Sequence, residues 1–177
     1  MLEYIILGYL MSKDMSGYDL KLRMASCTSN FFDASFGSIY PALKRLESKN
    51  YITLREIVEG GKYKKMYSIN EDGRRIFLSW LETPIVFVRT RHDHLVNLFF
   101  YDLLPEEKAI ANLIDLKNQI ETLLNELKGH MSKAEQMPEY KRQYFFQFST
   151  IEYGISYYSF ILGWCNDFIK RLEEKPK

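Results

Sequence analysis

Apolar residues open the chain at helical spacing. Leu2, Ile5, Ile6, Tyr9 and Leu10 fall at i, i+3, i+4, i+7 and i+8, the stripe of a short helix laid on a core. Ser16, followed three residues later by Asp19, is a capping signature. It predicts a second helix to about Cys27, with Tyr18, Leu22 and Ala25 facing inward. Thr28-Ser29-Asn30 breaks that helix. A third helix is predicted over Phe36 to Lys49, because Ile39, Leu43 and Leu46 repeat at helical spacing and Asn50 can supply a C-terminal stop. Pro41 costs nothing only close to a helix start, which leaves Ser35 and Ser38 both open as the starting point.

The period then changes. Ile52, Leu54 and Val58 share one parity and Lys65, Tyr67 and Ile69 share another, with Glu59-Gly60-Gly61-Lys62 between them, the pattern of a β-hairpin. Asn70 followed by Glu71 and Asp72 starts a fourth helix, predicted to run to about Glu82 before Thr83-Pro84. Three helices, a hairpin and a helix are the order of a winged helix-turn-helix. From Ile85 onward the pattern reads as purely helical. Pro105-Glu106-Glu107 opens a helix whose Leu113, Leu116, Ile120, Leu123 and Leu127 form a coiled-coil seam, with Gly129 and Pro138 bracketing its end. A last helix is predicted from about Glu139 to Leu172. Along it Phe148, Ile151, Ile155, Tyr158, Leu162, Cys165, Ile169 and Leu172 keep a strict alternation of three and four, and other faces carry Phe145, Phe146, Tyr153, Tyr157, Phe160, Trp164 and Phe168. A helix apolar on most sides is buried on most sides, so a second subunit is the economical cover. The predicted fold is mostly α: a winged helix-turn-helix over residues 1–82 and an antiparallel helical dimerisation domain over 83–177.

Composition narrows the function. The chain has 177 residues, 46% of them hydrophobic, enough for a packed core. Its net charge of only +1 requires any nucleic-acid contact to come from a local patch. Two distant cysteines, Cys27 and Cys165, form no disulfide framework and no zinc ribbon, which suits a reduced, cytoplasmic compartment. Met1-Leu2-Glu3 lacks the basic start of a secretory signal, and the longest uncharged stretch, Tyr153 to Asn166, is too short to span a bilayer.

Charge is concentrated in one segment. From Ser35 to Lys65, the cations Lys44, Arg45, Lys49, Arg55, Lys62, Lys64 and Lys65 outnumber Glu47, Glu56 and Glu59, for a net +4. On a wheel of the third helix, Ser38, Pro41, Lys44, Arg45 and Ser48 point away from the core, with Tyr40 on the flank. Hydroxyls at the start and cations behind them suit a helix that meets base edges and phosphates. The tip Lys62-Tyr63-Lys64-Lys65 adds cations from a second element, the electrostatic footprint of duplex binding. A solvated helix face and lysines that guard an edge strand from aggregation are the plainer alternatives.

The strings LGYLMS from Leu7, SGYDL from Ser16, FGSIYPALKRLE from Phe36 and YKKMYSINEDGRR from Tyr63 closely resemble the winged-helix domain of PadR-like transcriptional regulators. Order and spacing agree over about residues 1–80. The stretch Arg91 to Leu104 is similar to the start of the helical C-terminal domain of longer members. The resemblance implies a homodimeric, promoter-binding regulator, usually a repressor, whose C-terminal helices build the dimer. By motif position it places DNA contacts on Ser35, Ser38, Tyr40, Lys44 and Arg45, with Lys62, Tyr63 and Lys64 from the wing. Asn50 and Asn70 stand where the family more often has Gly and Thr, and Met15 replaces a common proline. Asn serves both positions, since it tolerates the left-handed C-cap and is a strong N-cap.

Of 27 aromatic residues, 11 lie between Tyr140 and Phe168. They make either a dimer core or a pocket for a planar, hydrophobic effector formed by Tyr153, Tyr157, Trp164 and Phe168. Some members of the resembled family sense phenolic acids or lipophilic drugs, but the dimer core is the favoured reading, since interfaces draw on Tyr, Phe and Trp. His92 and His94 flank Asp93, but side chains at i and i+2 of a helix point apart and no third ligand is near, so no metal and no cofactor is expected. No motif of a nucleophile elbow, phosphate loop, dinucleotide fold or zinc peptidase is present, and no enzyme is expected. Two other classes stay open: a winged helix that docks an acidic protein, and a small-molecule binding protein without operator DNA.

Overall fold

The computed structural model describes residues 1–29, 31–32, 34–87 and 92–174, with the backbone alone at 59 and 62. The chain divides into two compact units, Met1–Val88 and Arg89–Lys177. That division falls a few residues beyond the boundary placed at Thr83-Pro84.

In the first unit, helices α1 (Leu2–Leu10), α2 (Gly17–Cys27), α3 (Phe36–Ser48) and α4 (Glu71–Leu81) surround a small sheet of β1 (Met15–Ser16), β2 (Ile52–Glu59) and β3 (Lys62–Ile69). Its core is Ile6, Leu7, Leu10, Leu20, Met24, Ile39, Leu43, Leu46 and Ile52, all essentially sealed from solvent. Burying each such side chain contributes about 1.5–3 kcal/mol. The third helix buries the predicted face, Ile39, Ala42, Leu43 and Leu46. Two other faces need correction. On α1 the buried line is Ile6, Leu7 and Leu10, while Leu2, Ile5 and Tyr9 are only partly covered. On α2 the buried residues are Gly17, Leu20 and Met24; Tyr18, Leu22 and Ala25 face outward. Periodicity alone does not separate the two sides there, because both carry apolar residues.

The sheet order is β1-β3-β2. Ile52 pairs with Ile69 and Leu54 with Tyr67, and the hairpin closes on Gly60 and Gly61 at φ 58° and 77°. Two consecutive left-handed residues make a turn whose twist matches the strands, a conformation that glycine adopts without strain. Strand β1 was not foreseen: it is two residues long, pairing Met15 with Tyr67 and Ser16 with Met66, and two residues show no period.

In the second unit, α5 (Asp93–Phe99) and a 3₁₀ turn at Tyr101–Leu103 precede the long α6 (Glu106–Glu135), the short α7 (Pro138–Gln143) and α8 (Phe145–Glu173). Pro84 to Phe87 carry no regular structure, so the chain is not helical from Ile85. The last predicted helix is two helices, broken at Tyr144, whose ψ of 35° leaves the helical region. Helices α6 and α8 pack antiparallel: Gly154 meets Leu127, and Cys165 lies within the electrostatic reach of Lys117. No helix among the described residues is long and apolar enough to cross a membrane.

Candidate nucleic-acid interface

Helix α3 starts at Phe36, with Ser35 as N-cap residue. Pro41 therefore sits inside the helix and has no N–H to offer the Gly37 carbonyl four residues back. That carbonyl belongs to an exposed residue, where solvent can satisfy it. Ser38, half-buried, donates its hydroxyl back to the Ser35 carbonyl at 2.8 Å. Tyr40 is 48% exposed, with its ring against Gly17, and Lys44 is exposed with no ion pair among the described residues.

The adjacent cations Lys44 and Arg45 diverge. Arg45 Nε donates to Glu3 Oε1 at 2.7 Å and Lys49 Nζ to Glu3 Oε2 at 3.0 Å, so the flank bearing Arg45 faces α1. The Arg45 hydrogen bond, reinforced by Lys49, holds the Glu3 carboxyl below its ordinary range against the opposing effect of burial. The other flank faces the sheet, where Tyr67 stands within electrostatic reach of Glu47 and Tyr40. Burial raises the Tyr67 phenol, and those two neighbours raise it further.

The wing is also two-sided. Tyr63 is 86% exposed, opposite Val58 in register, and shares its sheet face with Lys65 and the buried Tyr67. Lys64 lies on the other face, 3.4 Å from Asp19. Arg55, on that same face, pairs with Asp14 and reaches Ser68 Oγ at 3.2 Å. Asp19 does double duty. It closes the predicted capping box with Ser16, accepting from its hydroxyl at 2.6 Å and its N–H at 3.0 Å, while the Asp19 N–H donates to Ser16 Oγ at 3.1 Å. Of the predicted wing residues, the Lys62 side chain lies outside the described residues.

The basic segment is thus narrower than its net charge implies. Arg45, Lys49, Arg55 and Lys64 all meet carboxylates that lie outside it in sequence, namely Glu3, Asp14 and Asp19. Sequence reading missed these partners, which are distant along the chain. It also missed the exposed stack of Tyr18 on Phe36, 6.3 Å between ring centroids, beside the start of α3.

In the second unit the predicted dimerisation seam turns toward α6. Cys165 and Ile169 are buried within the chain, and Phe148, Ile151, Ile155, Tyr158 and Leu162 are partly covered. Burial raises the Cys165 thiol and the Tyr158 phenol. Within the chain α6 seals Cys165 and Ile169 and leaves the other five partly open, while Phe146, Tyr153 and Phe160 on α8 are 83%, 69% and 73% exposed. The four residues of the predicted effector pocket form two stacked pairs, Tyr153 with Tyr157 and Trp164 with Phe168. A cavity of about 610 Å³ beside Tyr101, Leu113 and Arg171 takes in Phe168 but not the other three. Tyr157 Oη lies 3.5 Å from His92 Nδ1. Among the described residues, no group of three or more His, Cys, Asp or Glu is placed to hold a metal ion.

Residues 6–78 match the model of the transcriptional regulator PadR-like family, and residues 90–173 match that of the virulence activator alpha C-terminal region. The negative transcriptional regulator PadR of Bacillus subtilis is 30% identical over 134 residues, which span 75% of this chain and 74% of that protein. Two crystal structures of B. subtilis PadR superpose on nearly the whole chain. Its complex with operator DNA has a TM-score of 0.84 at 23% identity, covering 97% of this chain and 98% of that one. Its complex with p-coumaric acid has a TM-score of 0.81 at 22% identity, covering 98% and 99%.

Proposed function

The chain belongs to the PadR-like family of transcriptional regulators, and from that premise we propose that it is a sequence-specific DNA-binding repressor that acts as a homodimer on an inverted-repeat operator. The observation that carries this reading is the exposed strip of Tyr40 and Lys44 on α3, with Ser35 and Ser38 at the helix start and Tyr63 projecting from the wing. Helix α3 enters the major groove with its N-terminal turns at base edges, and Lys44 meets phosphate. Tyr63 and Lys64 of the wing contact flanking backbone, with Lys62 beside them at the turn. Arg45 joins when phosphate replaces Glu3. In this reading residues 1–82 bind DNA and residues 83–177 pair the subunits.

Two copies bring two α3 helices to successive major grooves, roughly 34–36 Å apart for half-sites one turn apart. The exposed Phe146, Tyr153 and Phe160 support pairing through α8, since large rings left on one helix face of a regulator are economically covered by a second subunit. Bound at a promoter, the dimer excludes polymerase, in keeping with the B. subtilis relative being a negative transcriptional regulator. That relative's complex with p-coumaric acid supports relief by a small aromatic effector, whose leverage equals its differential affinity for the free and DNA-bound geometries. The relatives are regulators, which supports a protein without catalytic activity.

Selection of bound sites from a pool of random duplexes tests the proposal. It predicts enrichment of one inverted repeat with fixed half-site spacing. A pool that emerges unenriched contradicts it.

A further inference from the structure

Four cations of α3 and the wing are each held by a carboxylate, Glu3 of α1, Asp14 just ahead of β1 or Asp19 in the first turn of α2. On the α1 side, Glu3 uses one oxygen for Arg45 at 2.7 Å and the other for Lys49 at 3.0 Å. On the outer face of the wing, Asp14 takes Arg55 and Asp19 takes Lys64 at 3.4 Å. Lys44 has no such partner among the described residues.

The pairs are too exposed to matter much for folding. The side chains of Arg45 and Lys49 are 54% and 51% accessible, those of Arg55 and Lys64 65% and 34%. Exposed ion pairs contribute little to stability. Their effect on a polyanion is of another kind. Non-specific affinity for duplex DNA grows with the number of cations that displace counterions from phosphates, and it is indifferent to sequence. A carboxylate that already holds a guanidinium or ammonium must be displaced before that cation can serve a phosphate, and the abandoned carboxylate then repels the backbone. Contact through bases is untouched by this cost.

We propose that Glu3 and Asp14, with Asp19, are specificity-determining residues: they suppress sequence-independent binding by holding Arg45, Lys49, Arg55 and Lys64 in competing ion pairs. The inference rests on the DNA-binding reading above and adds to it a device that widens the ratio of operator to random affinity without touching a base.

The experiment measures binding of the full-length protein to its selected duplex and to a random duplex across a range of salt. It compares wild type with Glu3→Gln, Asp14→Asn and, as a control of equal charge change, Asp72→Asn. Asp72 pairs with Arg75 on α4 and belongs to none of the four pairs. Asp19 is left intact because it caps α2. Glu3→Gln and Asp14→Asn are expected to tighten random-duplex binding roughly two- to fivefold, the fold-change matching exposed pairs of up to about 1 kcal/mol. They are also expected to steepen the salt slope by about one for each cation released to phosphate. Operator affinity rises less, so the ratio narrows; Asp72→Asn changes neither slope nor ratio. Random-duplex binding that is unchanged or weaker in both variants overturns the inference, as does an Asp72→Asn effect of equal size. Wild type that binds no duplex at any salt overturns the DNA-binding reading itself, and with it this one. Two variants on separate elements keep the test decisive should either fail to fold.

Discussion

Tyr40 lies with its ring against the bare α-carbon of Gly17: a β-carbon there comes within 2.8 Å of Tyr40 Cε1. The contact links the first turn of α2 to the exposed flank of α3 and sets the direction of the tyrosine. Gly17→Ala forces the ring to move outward or the helices to part. Full overpacking costs about 1–3 kcal/mol, and because Tyr40 is half exposed the ring is the cheaper element to move. The expected outcome is a folded protein, destabilised by less than that range, with a reduced ratio of operator to random affinity. Thermal unfolding and paired binding titrations check both halves. An unchanged ratio removes Tyr40 orientation from the account.

Asp19 gives a pH dependence with a definite sign. The Ser16 hydroxyl first, then the Ser16 N–H and Lys64, hold its carboxyl below the ordinary value of 3.8 against the opposing effect of burial. A carboxyl that is more acidic in the folded state binds its proton more readily when unfolded. Its contribution is therefore complete above that ordinary value and is lost as pH falls through the lower folded value. Urea unfolding followed from about pH 6 to about pH 2.5 should show the wild type losing stability more steeply below pH ~4 than Asp19→Asn. Parallel curves for the two proteins contradict the linkage.

The two faces of α8 separate folding from assembly. Cys165 is sealed inside the α6–α8 pair, so Cys165→Asp introduces an unpaired buried charge and lowers stability by several kcal/mol. Tyr153 and Phe160 lie on the exposed face. Tyr153→Asp with Phe160→Asp should leave the melting of the helices largely intact while dissociating the proposed dimer, as read by sedimentation equilibrium. A double variant that remains dimeric moves the subunit contact elsewhere.

Local chemistry was the most legible part of the fold. The Ser16–Asp19 capping box, the Gly60-Gly61 turn and the buried face of α3 follow from residue types at short separations, and the structure has each of them. Asn50 and Asn70 are also what the sequence implies, one at φ 56° and the other capping α4 by accepting from the Gly73 N–H. Their mutual bond, Asn70 Nδ2 donating to the Asn50 carbonyl at 2.6 Å, joins residues that sequence spacing does not relate.

What escaped the sequence was partner choice. The heptad of α8 announces a seam but not which helices share it, and α6 of the same chain takes the end of it at Cys165 and Ile169. Likewise a count of cations between Ser35 and Lys65 cannot register Glu3, Asp14 or Asp19, which reach the segment only through the fold. The inward face of α2 was misread because Tyr18 and Leu22 are as apolar as the residues that are buried.

In the proposed mechanism α3 reads base sequence through its exposed N-terminal half, and the affinity ratio between the selected duplex and a random one measures that reading. Replacing Ser38 and Tyr40 together by alanine should collapse that ratio toward one while random-duplex binding stays near the wild-type value, whereas Lys44→Ala should weaken both duplexes alike. If the Ser38→Ala, Tyr40→Ala protein loses equal affinity for both duplexes, or keeps its full preference, the account of α3 as the reading element is wrong.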